Sequence, residues 1–387
     1  MDSDALPLSY AEIDLDAIAH NIRAIADHIG PDVTIQAVVK ANAYGHGAVP
    51  VAQAALQNGA SRLAVVRAGE GIELREAGIE APILVMGYVL PDEAPILAEY
   101  DLIGTVNTIE AAEAINRRSR SLGRTTTIHI KVDTGLGRYG LPPDEVVPFI
   151  QQLMNLSALD VEGLYTHFAV ADTADPAYTN QQFQTYISVV KALEEQGIDI
   201  PFKHAANSAA ALAHSDTYLD GVRVGIAMYG LRPSDEVPPL VELRPALRLI
   251  SHVARVRTLP AGSSISYGRT YTTSKSTPVA LIPLGYGDGY HRILSNRGKV
   301  LIRGQKAPIV GRVCMDQFVV DVSDIEDVQQ DDQVILVGQQ GKSRISAEEL
   351  GALAETINYE ITTSLLPRLP RLYIRDGKLI DYPNNPD

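Results

Sequence analysis

Lys40 is the residue whose type and position most directly suggest chemistry. It follows the short apolar run 36–39 and leads into Ala-Asn-Ala-Tyr-Gly-His-Gly at 41–47. A short β-branched run with glycines close behind it is typical of a buried strand followed by a loop. Burial would lower the pKa of the lysine from its ordinary value near ~10.4 and leave a free amine able to attack a carbonyl. Tyr44 could pack against a flat ligand held by that amine, so the pair suggests a Schiff-base lysine for pyridoxal phosphate.

The elements that position Lys40 are predicted from apolar runs that alternate with helical stretches of mixed polarity. Helical spacing is found at 15–29, 48–57, 108–122 and 180–196. The strand-like runs lie at 35–39, 63–66, 83–86, 102–106, 128–132, 161–167, 202–206 and 222–228. Eight parallel strands with helical crossovers predict an α/β fold, a (β/α)₈ barrel over residues 1–240.

A second, mainly β domain is predicted at 241–387, after the proline-rich stretch 233–239. The first residues of the chain, about ten of them, could pack with this domain, and the last residues, 382–387, resemble a loose tail. Short strands are expected at 277–284, 299–302, 307–321 and 333–337. One helix is expected at 347–357, with Ser346 as its N-cap and Glu349 three residues further on.

Composition excludes several classes of function. The 387 residues include 33 Lys and Arg against 47 Asp and Glu, a net charge of −14, which disfavours nucleic acid and anionic lipid as partners. Cys314 is the only cysteine and cannot form an internal disulfide. The first four residues, Met-Asp-Ser-Asp, are unlike a signal peptide, and no apolar run approaches the roughly 18 residues of a membrane span. We therefore expect a soluble cytoplasmic protein. The sequence contains no His-Glu-x-x-His or Cys-x-x-Cys motif, so we expect no tightly bound catalytic metal.

Candidate functional residues follow the predicted barrel strands, where the active site of this fold is found. Because the carboxyl ends of the strands meet at one rim, these side chains are expected to converge. They are Lys40 after the first strand, Arg138 after the fifth, His167 at the end of the sixth, Asn207 and Ser208 after the seventh, and Arg223 with Gly225 on the eighth.

The string 37–47, Ala-Val-Val-Lys-Ala-Asn-Ala-Tyr-Gly-His-Gly, resembles the cofactor-lysine motif of the alanine racemases. The resemblance covers nearly the whole chain through at least six separated motifs. It implies a pyridoxal-phosphate enzyme that interconverts L- and D-alanine, with Lys40 as the base on one face of the substrate and Tyr44 beside the cofactor. Arg223 would face the pyridine nitrogen. The implied phosphate contacts are Asn207, Ser208, Gly225, Ile226 and Tyr359.

Racemisation requires a second base on the opposite face. The string Ile-Ser-Tyr-Gly-Arg-Thr-Tyr at 265–271 is similar to the tyrosine-base motif of the family, which implies Tyr267. Since Tyr267 belongs to the second domain, the family pattern implies that it reaches the barrel of a partner subunit, and hence a homodimer. His167 and Arg223 would tune it.

The remaining matches concern the substrate. Arg138 is similar to the family residue that binds the carboxylate, with Met315 and Asp316 of the partner subunit nearby. Lys131 carries a carbamate in the family, and an unmodified lysine is the alternative here. Tyr286 and Arg292 are similar to entrance or supporting residues. Gly287 stands where the family pattern suggests alanine, and Leu136 and Tyr139 vary the arginine motif, so preference among small amino acids such as serine stays open.

Three other functions share some features with this sequence. Residues 135–140 satisfy Gly-x-Gly-x-x-Gly with Asp160 about 20 residues on, but Pro142 and Pro143 prevent a helix from opening on the glycines, which argues against an NAD-dependent oxidoreductase. A pyridoxal-phosphate amino-acid decarboxylase would share the barrel and the β domain, yet its glycine-triplet phosphate loop is missing from the sequence. A non-catalytic carrier of the cofactor would have the barrel alone.

Overall fold

A computed structural model of the chain describes residues 6–380, which form two compact units. The barrel unit comprises residues 17–43 and 48–245, and the sheet unit comprises residues 6–16, 44–47 and 246–380. The chain leaves the barrel unit after residue 245 and enters the sheet unit at residue 246, whereas the sequence predicts this boundary between residues 240 and 241. The acidic first four residues and the tail at 382–387 lie outside the described residues.

Eight parallel strands of the barrel unit close into a barrel, which confirms the predicted architecture. Strand β1 (Tyr10–Asp14) precedes them in the chain and belongs to the sheet unit. The barrel strands are β2 (Thr34–Val38), β3 (Arg62–Val65), β4 (Ile83–Val85), β5 (Ile103–Thr105), β6 (Thr126–Lys131), β7 (Leu159–Tyr165), β8 (Phe202–His204) and β9 (Gly221–Val224). Each coincides with one of the predicted runs, with ends shifted by a few residues. Pairing of β2 with β9 closes the ring and sets Gln36 beside Arg223.

Helices connect the barrel strands, and two of them, Leu15–Ile29 and Ala48–Gln57, have the predicted bounds. Thr108 caps the helix Ile109–Ser121 because its hydroxyl accepts from Ala111 N at 3.4 Å. The helix predicted at 180–196 begins earlier, directly after Pro176, whose φ of −81° suits a helix start. The other helices are Ala68–Glu76, Pro95–Glu99, Val146–Leu153 and Ser208–Ala213, with short 3₁₀ helices at Pro143–Glu145, Ser215–Thr217 and Ile226–Tyr229.

The sheet unit is mainly β, as predicted. After β1, its strands are β10 (Leu247–His252), β11 (Arg255–Leu259), β12 (Ser264–Ile265), β13 (Tyr271–Thr272), β14 (Thr277–Ile282), β15 (Lys299–Ile302), β16 (Gln305–Pro308), β17 (Phe318–Asp321), β18 (Gln333–Gln340), β19 (Ser343–Ile345), β20 (Arg371–Arg375) and β21 (Lys378–Ile380). The largest sheet has the order β16-β15-β18-β10-β1-β20-β21, with β19 paired to β18, and two smaller sheets have the orders β11-β14-β17 and β12-β13. The helices of this unit are Ala347–Leu353 and Asn358–Thr363, with 3₁₀ helices at Tyr267–Arg269, Tyr286–Asp288 and Arg292–Leu294.

Two predicted elements of this unit are wrong in their extent. The run 307–321 is not one strand, because the chain leaves β16 and turns at Gly311, which has φ +82°, before β17 begins. The helix predicted at 347–357 ends at Leu353, and Glu355 has φ +59°, so a second helix starts at Asn358. The predicted cap is present, since Ser346 Oγ accepts from Glu349 N at 3.1 Å. Among residues 6–380, no helix has the combined length and apolar character to cross a bilayer.

Asn21 joins the two ends of the barrel unit. Its side chain is fully buried on the first helix and donates to Met228 O at 3.0 Å and Arg244 O at 2.8 Å. Its oxygen accepts from Arg244 N at 2.7 Å. Gly230 makes this approach possible, because it has φ +78° and an added Cβ would lie 1.8 Å from Arg244 O.

We expect Asn21→Ala to lower the free energy of unfolding by about 1–3 kcal/mol, because three backbone groups, one buried and two partly buried, lose their side-chain partner. Urea unfolding followed by circular dichroism measures the loss. The matched control is Asp27→Ala on the exposed face of the same helix, where the change should stay within about 0.5 kcal/mol. Equal midpoints for the two variants would contradict the assigned role of Asn21.

Candidate active site

Lys40 opens a tight turn at the carboxyl end of β2. The sequence predicts a loop here, and the structure has a left-handed helical turn instead, with φ between 51° and 54° at Ala41, Asn42, Ala43 and Tyr44. Left-handed backbone costs about 1–2 kcal/mol for each residue that is not glycine. Four in succession therefore require support from the surrounding structure.

Glu70 and Asn42 supply part of that support. Glu70 Oε1 accepts from Ala41 N at 2.6 Å, while Oε2 accepts from Val66 N and Arg67 N, each at 2.9 Å. Asn42 Oδ1 accepts from Ala48 N at 2.8 Å. Sequence analysis did not single out Glu70. Its place in the first turn of the helix Ala68–Glu76 indicates a cap, but nothing in the sequence connects it with Ala41.

The environment of Lys40 lowers the pKa of its amine, as the sequence predicts, and so raises the fraction that is neutral. Burial is the main cause that lowers its pKa, and the positive charge of Arg138 lowers it further, while Glu70 acts in the opposite direction. A neutral amine at ordinary pH can add to an aldehyde. Tyr44, four residues on, is 8% exposed, and burial raises the pKa of its hydroxyl, so it remains a neutral phenol.

Arg223 lies inside the barrel and is only 2% exposed. Its NH1 donates to His204 Nδ1 at 2.8 Å, and its NH2 donates to Thr166 O at 2.7 Å, Ala205 O at 3.0 Å and His167 Nδ1 at 3.2 Å. Burial lowers its pKa to about 10, so the guanidinium stays charged at neutral pH. It forms no ion pair with a carboxylate among the described residues, although a buried arginine ordinarily has one.

One nitrogen of Arg223 is left over. Nε is buried and has no hydrogen-bond partner in the part of the chain that the structure describes. An unmade hydrogen bond of this kind costs about 1–3 kcal/mol, so a ligand atom that accepts is favoured there. An aromatic ring nitrogen without a proton is such an atom, and the residues present therefore fit the pyridine ring of pyridoxal phosphate.

The predicted phosphate residues of the barrel unit lie together. Asn207 Oδ1 accepts from Ala210 N at 3.0 Å, so its side chain caps the helix Ser208–Ala213. Ser208 Oγ accepts from Gly225 N at 2.8 Å. Ile226 follows at the start of the 3₁₀ helix Ile226–Tyr229. The four residues form one surface at the carboxyl ends of β8 and β9.

His167 contacts Arg223 through its Nδ1. Burial is the main cause that holds its pKa well below the ordinary value, and the charges of Arg223 and Lys131 add to it. Since Nδ1 accepts from Arg223, which can only donate, the proton of the neutral ring is on Nε2.

Lys131 and Arg138 add positive charge at the same end of the barrel. Lys131 Nζ lies 5.5 Å from the ring centre of Tyr139 and 5.7 Å from that of Tyr165. Burial, followed by the charges of Arg138 and Arg223, lowers its pKa to about 8. Together with Lys40 and Arg223 these residues make a cationic site on an acidic protein, which suits a ligand with phosphate or carboxylate groups.

The glycine-rich loop 135–140 does not form a dinucleotide site. Asp133 Oδ1 accepts from Gly135 N at 3.0 Å and from Gly137 N at 3.1 Å. The amides that would hold a pyrophosphate are therefore already bonded to a carboxylate. The loop carries Arg138, whose side chain is exposed.

The predicted residues of the sheet unit include an exposed patch formed by Tyr267, Tyr286 and Met315, which are 75%, 40% and 52% exposed. Backbone contacts hold the three segments together. Ser266 Oγ donates to Arg312 O at 2.8 Å, Tyr286 N to Cys314 O at 3.0 Å and Gly287 N to Met315 O at 2.8 Å.

Arg368, which sequence analysis missed, fixes Asp316 beside this patch. Its NH2 is 2.9 Å from Asp316 Oδ1, and its Nε donates to Asp288 Oδ1 at 2.8 Å. A Cβ at position 287 would lie 2.6 Å from Arg368 NH2, but this atom ends a flexible, half-exposed side chain that can move aside, so the contact does not explain the glycine found where alanine was expected. Elsewhere in the unit, the rings of Tyr44 and Tyr359 are 6.1 Å apart, and Arg292 begins the 3₁₀ helix Arg292–Leu294.

Known proteins resemble the chain over most of its length. Residues 13–233 match the family model described as alanine racemase, N-terminal domain, and residues 246–373 match that of the C-terminal domain. An alanine racemase of Halothermothrix orenii is 46% identical over 94% of this chain and 96% of its own length. The crystal structure of alanine racemase from Bacillus anthracis with bound L-Ala-P is 42% identical, with a TM-score of 0.93 and 98% of each chain covered. The enzyme of Bartonella henselae, solved with covalently bound pyridoxal phosphate, is 30% identical with a TM-score of 0.85 over 95% of this chain and 100% of that one.

The buried amine of Lys131 predicts a pH dependence of stability. Its pKa is about 8 in the folded chain and 10.5 ordinarily, so between these values the unfolded state binds more protons and the free energy of unfolding rises with pH. We expect the free energy of unfolding of the wild type, minus that of Lys131→Met, to rise from about pH 8 to about pH 10 in buffers free of carbon dioxide. Urea unfolding at several pH values measures it, with Lys191→Met at an exposed lysine as control. A fall of the wild-type value relative to the variant over this range would contradict the prediction.

Proposed function

We propose a two-base mechanism for this chain, which belongs to the alanine racemase family and interconverts L- and D-alanine. Lys40 moves a proton on one face of the α-carbon, and Tyr267 of the partner subunit moves a proton on the other. The observation that carries the proposal is the environment of Lys40, a mostly buried amine at a barrel strand end whose pKa is lowered by burial and by Arg138.

Pyridoxal phosphate is the proposed cofactor. When bound, it supplies an electron-withdrawing ring that makes the α-proton of an amino acid easier to remove. Lys40 would hold its aldehyde carbon, Arg223 Nε its ring nitrogen, and Asn207, Ser208, Gly225 and Ile226 its phosphate. We propose Tyr44 and Tyr359, whose rings lie near one another in the sheet unit, as further contacts.

Arg223 would leave the ring nitrogen of the cofactor without a proton. Because a guanidinium with a pKa of about 10 only donates, it binds a ring nitrogen without giving that atom a proton of its own. A ring held in this way would withdraw electrons less strongly than a protonated one. That would favour return of the proton to the α-carbon over transfer of the amino group, which is the outcome a racemase needs.

Substrate binding is assigned to the cationic residues near Lys40. Arg138 binds the carboxylate of alanine, with Met315 and Asp316 of the partner subunit beside it. Lys131 orients Arg138, either as an amine or as a carbamate, and the neutral amine available near pH 8 is the form that adds carbon dioxide. Tyr286 and Arg292 line the approach of the substrate to the site. His167 connects Arg223 with Tyr267 of the partner subunit.

We further propose a homodimer whose active sites are shared. Tyr267 is 75% exposed and belongs to a patch with Tyr286 and Met315, which supports a surface that faces a second copy. A two-fold dimer places the patch of each copy on the barrel of the other. We propose a cytoplasmic location, which suits a chain whose single cysteine forms no internal disulfide.

The two-base mechanism predicts proton exchange without inversion in a variant that lacks one base. In D₂O the wild type should convert L-alanine to deuterated D-alanine and release no carbon dioxide. Tyr267→Phe should racemise about 10²–10⁴-fold more slowly in both directions, yet still exchange the α-proton of one enantiomer at the face that Lys40 serves. Chiral chromatography with mass spectrometry separates the two outcomes.

Tyr271→Phe is the matched control, because this tyrosine belongs to the same motif but packs with the cluster of Ile265, Val279 and Val310. Its rates should stay within about threefold of the wild type. Racemisation at the wild-type rate in Tyr267→Phe would remove the tyrosine as a base, and carbon dioxide from the wild type would indicate a decarboxylase.

Shared active sites predict complementation between inactive variants. Lys40→Ala should abolish turnover alone, and Tyr267→Phe should nearly do so. A heterodimer with one copy of each has one site with both substitutions and one with neither, so it should regain about half of the wild-type activity. Co-expression with two affinity tags isolates the heterodimer, and activity no higher than that of the two parents would place both bases in one subunit.

A further inference from the structure

Arg223 is connected to a distant carboxylate by two buried histidines. Its NH1 donates to His204 Nδ1 at 2.8 Å, His204 Nε2 lies 3.0 Å from His129 Nδ1, and His129 Nε2 lies 2.9 Å from Glu162 Oε2. Both imidazoles are fully buried. The chain of hydrogen bonds crosses the inside of the barrel through residues of β6, β7, β8 and β9.

The two ends of the chain decide where the protons of both rings are. Arg223 can only donate, so His204 Nδ1 accepts, and the proton of the neutral ring is on Nε2. His129 Nδ1 must then accept from His204, which places the proton of His129 on Nε2, facing the carboxylate of Glu162. Gln36 Nε2, 3.2 Å from His204 Nδ1, is a second donor and agrees with this direction.

Glu162 is held as an acceptor by Arg62. The two guanidinium nitrogens of Arg62 donate to the two oxygens of Glu162 at 2.7 and 2.5 Å, and the guanidinium lies 4.5 Å from the ring centre of Phe202. Burial raises the pKa of Glu162, but the hydrogen bonds from Arg62 and His129 outweigh it and lower the pKa to about 2. The carboxylate is therefore ionised at neutral pH, where burial favours the neutral form of both imidazoles.

The surrounding core is shaped to keep the rings in place. Tyr165 stacks on His204 with ring centres 4.8 Å apart and an angle of 9°. Gly163, on the neighbouring strand, leaves the space that His129 occupies, since a Cβ there would lie 2.5 Å from the imidazole. These contacts leave the rings little freedom to rotate.

We propose that Glu162 is a positioning residue for Arg223, acting through fixed Nε2–H tautomers of His129 and His204. If the proton of His129 moved to Nδ1, His204 Nε2 would have to accept, and His204 would present an Nδ1–H to NH1 of Arg223. Two donors would then face each other at 2.8 Å, and the guanidinium would move. The carboxylate thus keeps Nε of Arg223 aimed at its acceptor; that last step rests on the proposed function, whereas the tautomers do not.

Histidine-selective ¹⁵N labelling of the full-length protein, with and without pyridoxal phosphate, tests the proposal. Two-bond ¹⁵N–¹H spectra report which ring nitrogen carries the proton, and His129→Gln and His204→Gln assign the signals. The wild type should show Nε2–H on both rings. Glu162→Gln, whose amide can donate to His129 Nε2, should move the proton of at least one ring to Nδ1 and lower kcat at least about tenfold, with KM changed less than about threefold.

Arg62→Gln is the matched control, because it breaks the same ion pair but leaves the carboxylate in place. Both rings should keep the Nε2–H tautomer in this variant. The same tautomer change in Arg62→Gln as in Glu162→Gln would overturn the proposal, as would an Nδ1–H on either ring of the wild type. If Glu162→Gln does not fold, the wild-type and Arg62→Gln spectra decide. Correct tautomers in a protein without racemase activity would overturn the proposed function and not the tautomers.

Discussion

A guanidinium buried inside the barrel without a carboxylate of its own is the constraint on which the site depends. Arg223 is charged at neutral pH and 2% exposed, and its hydrogen bonds go to carbonyl oxygens and to two neutral imidazoles. A direct carboxylate partner would neutralise it and would make the ring nitrogen site suitable for a protonated ring. The distribution of its charge over neutral acceptors leaves a donor that can bind a ring nitrogen and cannot protonate it.

The same positive charge shapes its neighbours. Arg223 lowers the pKa of Lys131 and His167, and Arg138 lowers the pKa of Lys40, Lys131 and His167, in each case after the larger effect of burial. The positive charges of Arg223 and Arg138 thus favour the neutral forms of Lys40, Lys131 and His167. A net charge of −14 for the whole chain does not reveal this local excess.

Much of the fold was predictable from the sequence, because barrel strands are short apolar runs and the helices between them have regular spacing. Lys40 was predictable for the same reason, since it directly follows a buried run. The sequence alone could not reveal contacts between residues that are far apart in the chain. Glu162 contacts His129 at a separation of 33 residues, His129 contacts His204 at 75, and Arg62 contacts Glu162 at 100. Each of them taken alone resembles an ordinary strand residue.

Local backbone geometry was also hidden. The string Ala-Asn-Ala contains nothing that predicts a left-handed turn, and the hydrogen bonds made by Glu70 and Asn42, which help to hold it, cannot be predicted from this string. The strands predicted as one at 307–321 and the helix predicted at 347–357 were wrong for a related reason. Gly311 and Glu355 adopt positive φ at points where the apolar pattern continues.

The left-handed turn after Lys40 also limits how this segment can evolve. A β-branched side chain at 41, 42 or 43 would clash with its own backbone at φ near +52°. Glycine at these positions would increase the backbone freedom of the segment and leave the position of Lys40 less defined when no ligand is bound. Asparagine tolerates this geometry better than most residues, and alanine adds only a methyl group to it while still stiffening the chain relative to glycine. Neutral drift should therefore be slow across these three positions, even though none of them is assigned a part in moving a proton.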